Sequence, residues 1–169
     1  MRRRLDGVGA IRDDWRVVKL NEKAAVPVVD AAARERLARA FDREGVVAAM
    51  LIGSQARGTA GPLSDIDLAY WHEPGLGRDA RRRLRLDLIG AAEEALRTPE
   101  VDLVPLNEAS PLMRQRAIRD GVRLIERDRD LRVALEARAI VDYLDTQPLR
   151  DEMARGLRHR IEEGRFGRR

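Results

Sequence analysis

Cysteine is absent from this 169-residue chain, which excludes disulfides, thiolate metal sites and a cysteine nucleophile, and is compatible with a reducing compartment. Aromatic residues make up only 4%, too few for a platform on which single-stranded nucleic acid stacks. No apolar run approaches the length needed to cross a bilayer, and Met1-Arg2-Arg3-Arg4 is not followed by the apolar stretch of a secretory signal. A cytoplasmic protein without a membrane segment is expected. Lysine occurs only at Lys19 and Lys23, so nearly every cation is arginine, which reads as a GC-rich coding bias. A strong charge imbalance is missing too: 33 basic residues stand against 29 acidic ones, for a formal net charge of +4. Direct nucleic-acid binding is therefore not expected. With no internal repeat, low-complexity segment or second-domain linker, the chain reads as one domain large enough to bury a core.

What is present is a compact polar motif between apolar segments. Val46 to Ile52 is continuously apolar and reads as a buried strand, so Gly53-Ser54 fall where a strand ends and a helix begins. Glycine there lets backbone approach a phosphate, and the amides of a helix start favour its charge. Ser54 adds a hydroxyl and Arg57 a permanent cation. Ten residues separate Ser54 from Asp65-Ile66-Asp67-Leu68, the last of the ten being Ser64. In a strand Asp65 and Asp67 share one face while Ile66 and Leu68 share the other. Two adjacent carboxylates repel unless a cation intervenes, and magnesium suits such oxygen ligands together with phosphates. Gly58, Gly61 and Pro62 supply the turn that folds the carboxylate strand back beside the Gly-Ser turn. Pro99 to Leu106 offers another short strand carrying Asp102. Three converging carboxylates are able to hold two magnesium ions, one on a triphosphate and one lowering the pKa of an attacking hydroxyl. An EF-hand is excluded, because Asp65-Ile66-Asp67 lacks the further ligands, central glycine and closing glutamate. A Walker loop is excluded, because no Gly-Lys-Ser/Thr follows the glycines.

Around the motif the expected order is a weakly structured arm over residues 1 to 25, then a domain over 26–169 with C-terminal helices from about 130. Asp30 caps a helix over about 31 to 44 that Gly45 ends; a second helix spans about 78 to 97. Ser110-Pro111 opens a short helix stopped by Gly121, and Val122 to Glu126 forms a further strand. From Asp130 the pattern is helical, broken at Thr146-Gln147-Pro148. Ala80, Leu84, Leu88 and Ala91 or Ala92 recur at helical spacing, which makes Arg78 to Arg85 the solvated face of an amphipathic helix. Tyr70 and Trp71 read as core, with adenine stacking by Trp71 the alternative; His72 reads as a loop-edge residue. Leu149, Met153, Leu157 and Ile161 form a stripe that either packs on the chain's own sheet or preceding helix, or docks onto a partner or second copy. Arg165 to Arg169 read as a frayed end, or as a contact for RNA or an acidic surface.

The pattern Gly-Ser, ten residues, Asp-x-Asp resembles the polymerase-beta-like nucleotidyltransferase superfamily and its minimal branch. Within that branch the chain is similar to the MntA-type antitoxins of type VII toxin-antitoxin systems. Asp120 to Asp128 and Leu135 to Asp145 resemble a strand and the following helix of those proteins, and the likeness runs from about Val26 to Met153. It implies an α/β (α+β) fold with a short mixed sheet flanked by helices and a helical C-terminal part. The implied activity is magnesium-dependent transfer of AMP from ATP to a tyrosine of a cognate HEPN-type RNase toxin, silencing it. On that resemblance Gly53, Ser54, Arg57 and Ser64 bind the nucleotide, and Asp65 and Asp67 hold two metal ions. Asp102 completes the triad or assists deprotonation of the tyrosine. Residues 1 to 25 depart from the pattern, as a family-specific arm or the product of an upstream start codon. Two alternatives stand beside this expectation: nucleotidyl transfer to a small molecule such as an aminoglycoside-like antibiotic, and an antitoxin that masks its toxin without transfer.

Overall fold

The computed structural model describes residues 26–61 and 64–164; the expected arm over 1–25, Pro62 and the tail from Arg165 lie outside the described residues. A four-stranded sheet carries the fold, in the order β3-β2-β1-β4. Its strands are β1 (Val46–Leu51), β2 (Ile66–His72), β3 (Val101–Pro105) and β4 (Val122–Glu126). β2 is antiparallel to β1 and parallel to β3, and β4 is antiparallel to β1. The sheet is therefore mixed, as expected. The parallel β2–β3 pair requires a crossover, which helix α3 (Arg78–Leu96) provides.

The continuous apolar run of β1 has a direct physical reason: all six of its residues are buried, because helices cover both faces. One face packs under α1 (Ala31–Phe41) and α3, with Leu37, Phe41, Leu51, Ile66, Leu68, Tyr70 and Leu88 in its core. The opposite face packs under α4 (Pro111–Asp120) and α5 (Arg129–Asp145), around Met50, Trp71, Leu106, Ala117 and Ala139. The register with β2 shifts between Val46 and Ala48. Val47 and Ala48 consequently belong to the same core although they are neighbours in sequence. Trp71 is 1% exposed inside that core, so it packs and does not stack on adenine. His72 is 2% exposed at the end of β2, which corrects the loop-edge expectation.

Helix boundaries follow the capping residues. Asp30 accepts a hydrogen bond from the Ala33 amide at 2.7 Å and Ser110 from the Met113 amide at 3.3 Å, with Pro111 at the first helical position. α1 stops at Phe41, three residues earlier than expected, because Asp42 leaves helical geometry and the turn to Gly45 (φ +82°) is already under way. α3 ends with Arg97 in the left-handed region at φ +55°. Arg132, which is 8% exposed, pairs with Glu126 of β4 and Glu136 of α5, fastening the last strand to its helix. Arg114 of α4 reaches Asp142 of α5 at 3.1 Å.

α6 (Gln147–Glu162) follows α5 after Thr146 alone. Arg150 lies 3.7 Å from the Tyr143 ring centre and donates to the Tyr143 carbonyl at 2.6 Å, which sets the joint. Beyond it the apolar stripe is open: Leu149, Met153, Leu157 and Ile161 are between 38% and 65% exposed. The expectation that this stripe packs on the chain's own sheet or preceding helix is thus overturned, since α6 leaves the body of the protein. Among the described residues, no helix is long and apolar enough to cross a membrane.

Leu37 is fully buried between α1 and the sheet. Leu37→Ala removes its packing and leaves a cavity, so a urea melt should show a loss of about 2–5 kcal/mol.

Candidate active site

The site begins at the carboxyl end of β1. The Ile52 amide donates to the Asp67 carbonyl at 2.9 Å, holding the strand end against β2. The chain then enters the single-turn helix α2 (Gly53–Arg57) with Gly53 at φ +69°. Gly58, also at φ +69°, closes the turn as its amide donates to the Gln55 and Ser54 carbonyls. No side chain caps the start of α2, and the first amides of a helix have no partner within it.

Gly53 has a sharper role than phosphate approach alone. A Cβ built on it would lie 2.0 Å from Asp67 Oδ2 and 2.8 Å from its Cγ. The Asp67 carboxylate therefore occupies the place of a side chain at position 53. Sequence spacing suggested proximity; close packing of carboxylate on backbone is what the fold adds.

Asp102 stands opposite Asp67 in the parallel register of β2 and β3. Residues in register point to the same face, so these carboxylates are neighbours across the ladder. Asp65 lies just before β2 and, with Asp102, lines an open polar cavity of about 190 Å³. Asp67 is half-buried, whereas Asp65 and Asp102 are exposed. Burial pushes the Asp67 carboxyl above its ordinary range; the charges of Asp102 and Asp65 push it further, and the Arg57 guanidinium opposes them.

The expected convergence of three carboxylates is accordingly partial. Asp65 and Asp102 are near enough to disfavour the charge of Asp67, yet among the described residues no group of three is drawn together tightly enough to form a finished metal shell. The donor set nevertheless fits a hard divalent cation: all-oxygen, acidic, and with one member, Asp67, resisting ionisation because it is buried beside two further acids.

The remaining expected residues lie around this centre. Ser54 is half-buried in the first turn of α2, and Arg57 is exposed at its end. Ser64 closes its own loop: its hydroxyl oxygen accepts from the Gly61 amide at 2.9 Å, and its amide donates to the Gly61 carbonyl at 3.0 Å. Sequence reasoning missed Gln55, which is 6% exposed. Its Oε1 accepts from the Val29 amide and its Nε2 donates to the Pro27 carbonyl, both at 3.2 Å, locking α2 to residues 26 chain positions or more away. No local pattern signals a bond of that span.

Residues 35–130 match the Polymerase beta, Nucleotidyltransferase family. No curated protein matches the sequence. Among solved structures, a toxin-antitoxin crystallised with AMP-PNP is 28% identical, over 72% of this chain and 93% of its own, with a TM-score of 0.55. A toxin-antitoxin MntA-HpeT mutant is 26% identical with the same coverage and a TM-score of 0.55. The complex of a tri-AMPylated Shewanella oneidensis HEPN toxin with MNT antitoxin matches at 23% identity, over 74% of this chain and 95% of its own, with a TM-score of 0.54. The last likeness is one of fold alone.

Gly53→Ala is expected to cost at least about 1–2 kcal/mol from the left-handed backbone and to displace the Asp67 carboxylate, read by urea denaturation and by a shift of the Asp67 carboxyl resonance. The raised Asp67 pKa also has a defined sign in stability. The folded state holds that proton more tightly than the unfolded state, so the contribution is full below the ordinary carboxylate range and is lost as pH rises through the raised folded value. In EDTA at pH 7, Asp67→Asn should therefore raise Tm, and the gain should vanish at pH 3; a lower Tm at pH 7 would contradict the electrostatic account.

Proposed function

The chain belongs to the polymerase beta nucleotidyltransferase family, and from that premise we propose that it is an antitoxin that transfers AMP from ATP to a tyrosine of a cognate HEPN-type RNase toxin. The observation that carries the reading is the Asp67 carboxylate seated over Gly53 at the head of α2 and in register with Asp102. That contact joins a phosphate-accepting helix start to an acidic cluster in one small volume. The likeness to toxin-antitoxin structures, one of them with AMP-PNP, supports both the nucleotide and the protein partner. A neighbour of the same fold stands in complex with a tri-AMPylated toxin, which is the product this reaction yields. The open stripe of α6 offers apolar surface to such a partner.

Asp65, Asp67 and Asp102 would hold two magnesium ions, and the ions would neutralise phosphate charge and make the acceptor hydroxyl easier to deprotonate. The protein's own groups do the rest. Amides at the start of α2 and the Ser54 hydroxyl orient the phosphate oxygens, and Arg57 adds positive charge at the rim. The tyrosine oxygen forms a bond to the α-phosphorus as the bond to the bridging oxygen breaks. Pyrophosphate leaves with that electron pair, and the phenolic proton passes to Asp102 or to water. Asp102 is suited to either part of its role because it is exposed at the cavity edge while sharing a face with Asp67. A reaction that consumes ATP places the pair in the cytoplasm. Residues 26–169 would form the transferase with its C-terminal helices, and residues 1–25 an arm ahead of it.

Intact-mass spectrometry of the cognate toxin after incubation with this protein, ATP and magnesium tests the reading. A gain of one or more AMP units is expected, mapping to tyrosine. Asp65→Asn with Asp67→Asn should slow transfer by at least about a thousandfold, in line with several kcal/mol of charge stabilisation from bound metal. A toxin that co-purifies stably but gains no mass would instead point to an antitoxin that masks by binding.

A further inference from the structure

On the sheet face opposite Asp67, α3 and the far end of β2 enclose a cavity of about 350 Å³, within the size range of small-ligand sites. Its wall is a single stripe of α3. Arg78, Arg81, Arg82 and Arg85 fall at i, i+3, i+4 and i+7 and all line it. Its floor is the buried pair Tyr70 and His72 of β2. The arginine run is the solvated face expected, with Arg78, Arg82 and Arg85 exposed and Arg81 half-buried, and these four also line one hollow.

Like charges at this spacing repel one another, and the protein offsets only part of that repulsion. Arg81 pairs with Glu108 at 3.1 Å, and Arg85 donates to the Leu103 carbonyl at 3.3 Å. Among the described residues, the side chains of Arg78 and Arg82 have no hydrogen-bond or ion-pair partner. The floor carries an independent sign of a ligand. His72 is 2% exposed, its Nδ1 sits 2.9 Å from the Glu73 carbonyl oxygen, and its Nε2 is buried without a partner. Such atoms are uncommon in folded proteins; with Nδ1–H turned to the Glu73 carbonyl, Nε2 lacks a donor, which a hydroxyl of a bound ligand supplies.

The site is also braced. Asn107 Oδ1 accepts from the His72 amide at 2.9 Å and its Nδ2 donates to the His72 carbonyl at 3.1 Å, fixing the strand end from both sides. Burial pushes the Tyr70 hydroxyl up to about 12 despite Arg85 nearby, so it stays a protonated donor. No side chain caps the start of α3 at Gly77, and its first turn carries one acid, Asp79, beside Arg78.

Charge selects the ligand. Four guanidiniums against the single Glu108 carboxylate leave three positive charges in the lining, which matches a diphosphate or triphosphate better than a lone carboxylate. Guanidinium forks suit phosphate oxygens geometrically as well. We propose that this cavity is a second anion site, apart from the Asp65, Asp67 and Asp102 cleft, that takes a small molecule bearing a pyrophosphate group, with Arg78 and Arg82 on its ionised oxygens and a P–OH of the same group donating to His72 Nε2.

The chain has only two histidines, His72 and His159, so imidazole resonances read the site directly. Full-length protein in EDTA, which withholds the divalent ions that the acidic cleft needs, is titrated with inorganic pyrophosphate and, separately, with ADP. Saturable movement of the His72 ring signals, with His159 as the still reference, is the expected result. Arg78→Ala with Arg82→Ala should weaken that binding at least about tenfold, the effect of losing charge-assisted hydrogen bonds. Saturation by pyrophosphate and ADP alike identifies the pyrophosphate group as the determinant; saturation by ADP alone identifies a nucleoside diphosphate, still within the class. The proposal fails if His72 and His159 shift in parallel, if shifts are confined to Gly53 to Arg57, or if the double variant binds as well as the parent. It fails equally if a single-stranded RNA perturbs the arginines while neither small ligand moves His72, an outcome that would make this a nucleic-acid face.

Discussion

The contact between the Asp67 carboxylate and the backbone of Gly53 is the constraint around which the candidate active site is arranged. With Oδ2 2.0 Å from the place of a Cβ, the strand that carries the acids and the turn that presents amides cannot separate without losing both. The Ile52 to Asp67 backbone bond repeats the attachment one residue earlier. Position 53 is thus restricted twice, by its positive φ and by the carboxylate above it. Asp67 is in turn held where burial and two neighbouring acids disfavour its charge, a local cost of the kind that functional sites retain.

β1 distributes these effects through the molecule. It is buried on both faces and bonded on both edges, so everything else is placed relative to it. On one side α4 and α5 flank the sheet face that bears Asp67 and Asp102; on the other, α1 and α3 cover the core and expose arginines. A net charge of only +4 conceals two local clusters, the acids Asp65, Asp67 and Asp102 and the arginines of α3. α6 stands outside the arrangement. Its apolar stripe belongs to neither core, and it is joined to α5 through Arg150 and Tyr143.

Much of the architecture is legible along the chain because it depends on short-range chemistry. Asp30 and Ser110 mark helix starts through bonds to amides three residues on, and Gly121 follows the end of α4. The run from Val46 is apolar because helices cover both of its faces. Boundaries shifted where the terminating residue was atypical. α1 frayed at Asp42 before its glycine, and α3 ended on an arginine in the left-handed region. Trp71 and His72 were ambiguous for another reason. A strand's alternation assigns each residue a face, but not how deeply the helices from elsewhere bury it.

Alone, the sequence determined the acid pair at two-residue spacing, the Gly-Ser turn at the end of an apolar run, the order of strands and helices, and the family to which they point. These follow from local backbone preferences and from periodicity, which act over a few residues. The tertiary structure decided what depends on distant segments meeting. It brought Asp102 into register with Asp67, tied Gln55 to Pro27 and Val29, and set four arginines over a buried Tyr70 and His72. It also left α6 without a core to cover it. Strand register and helix docking arise from the packing of the whole chain, and no window of neighbouring residues contains that information.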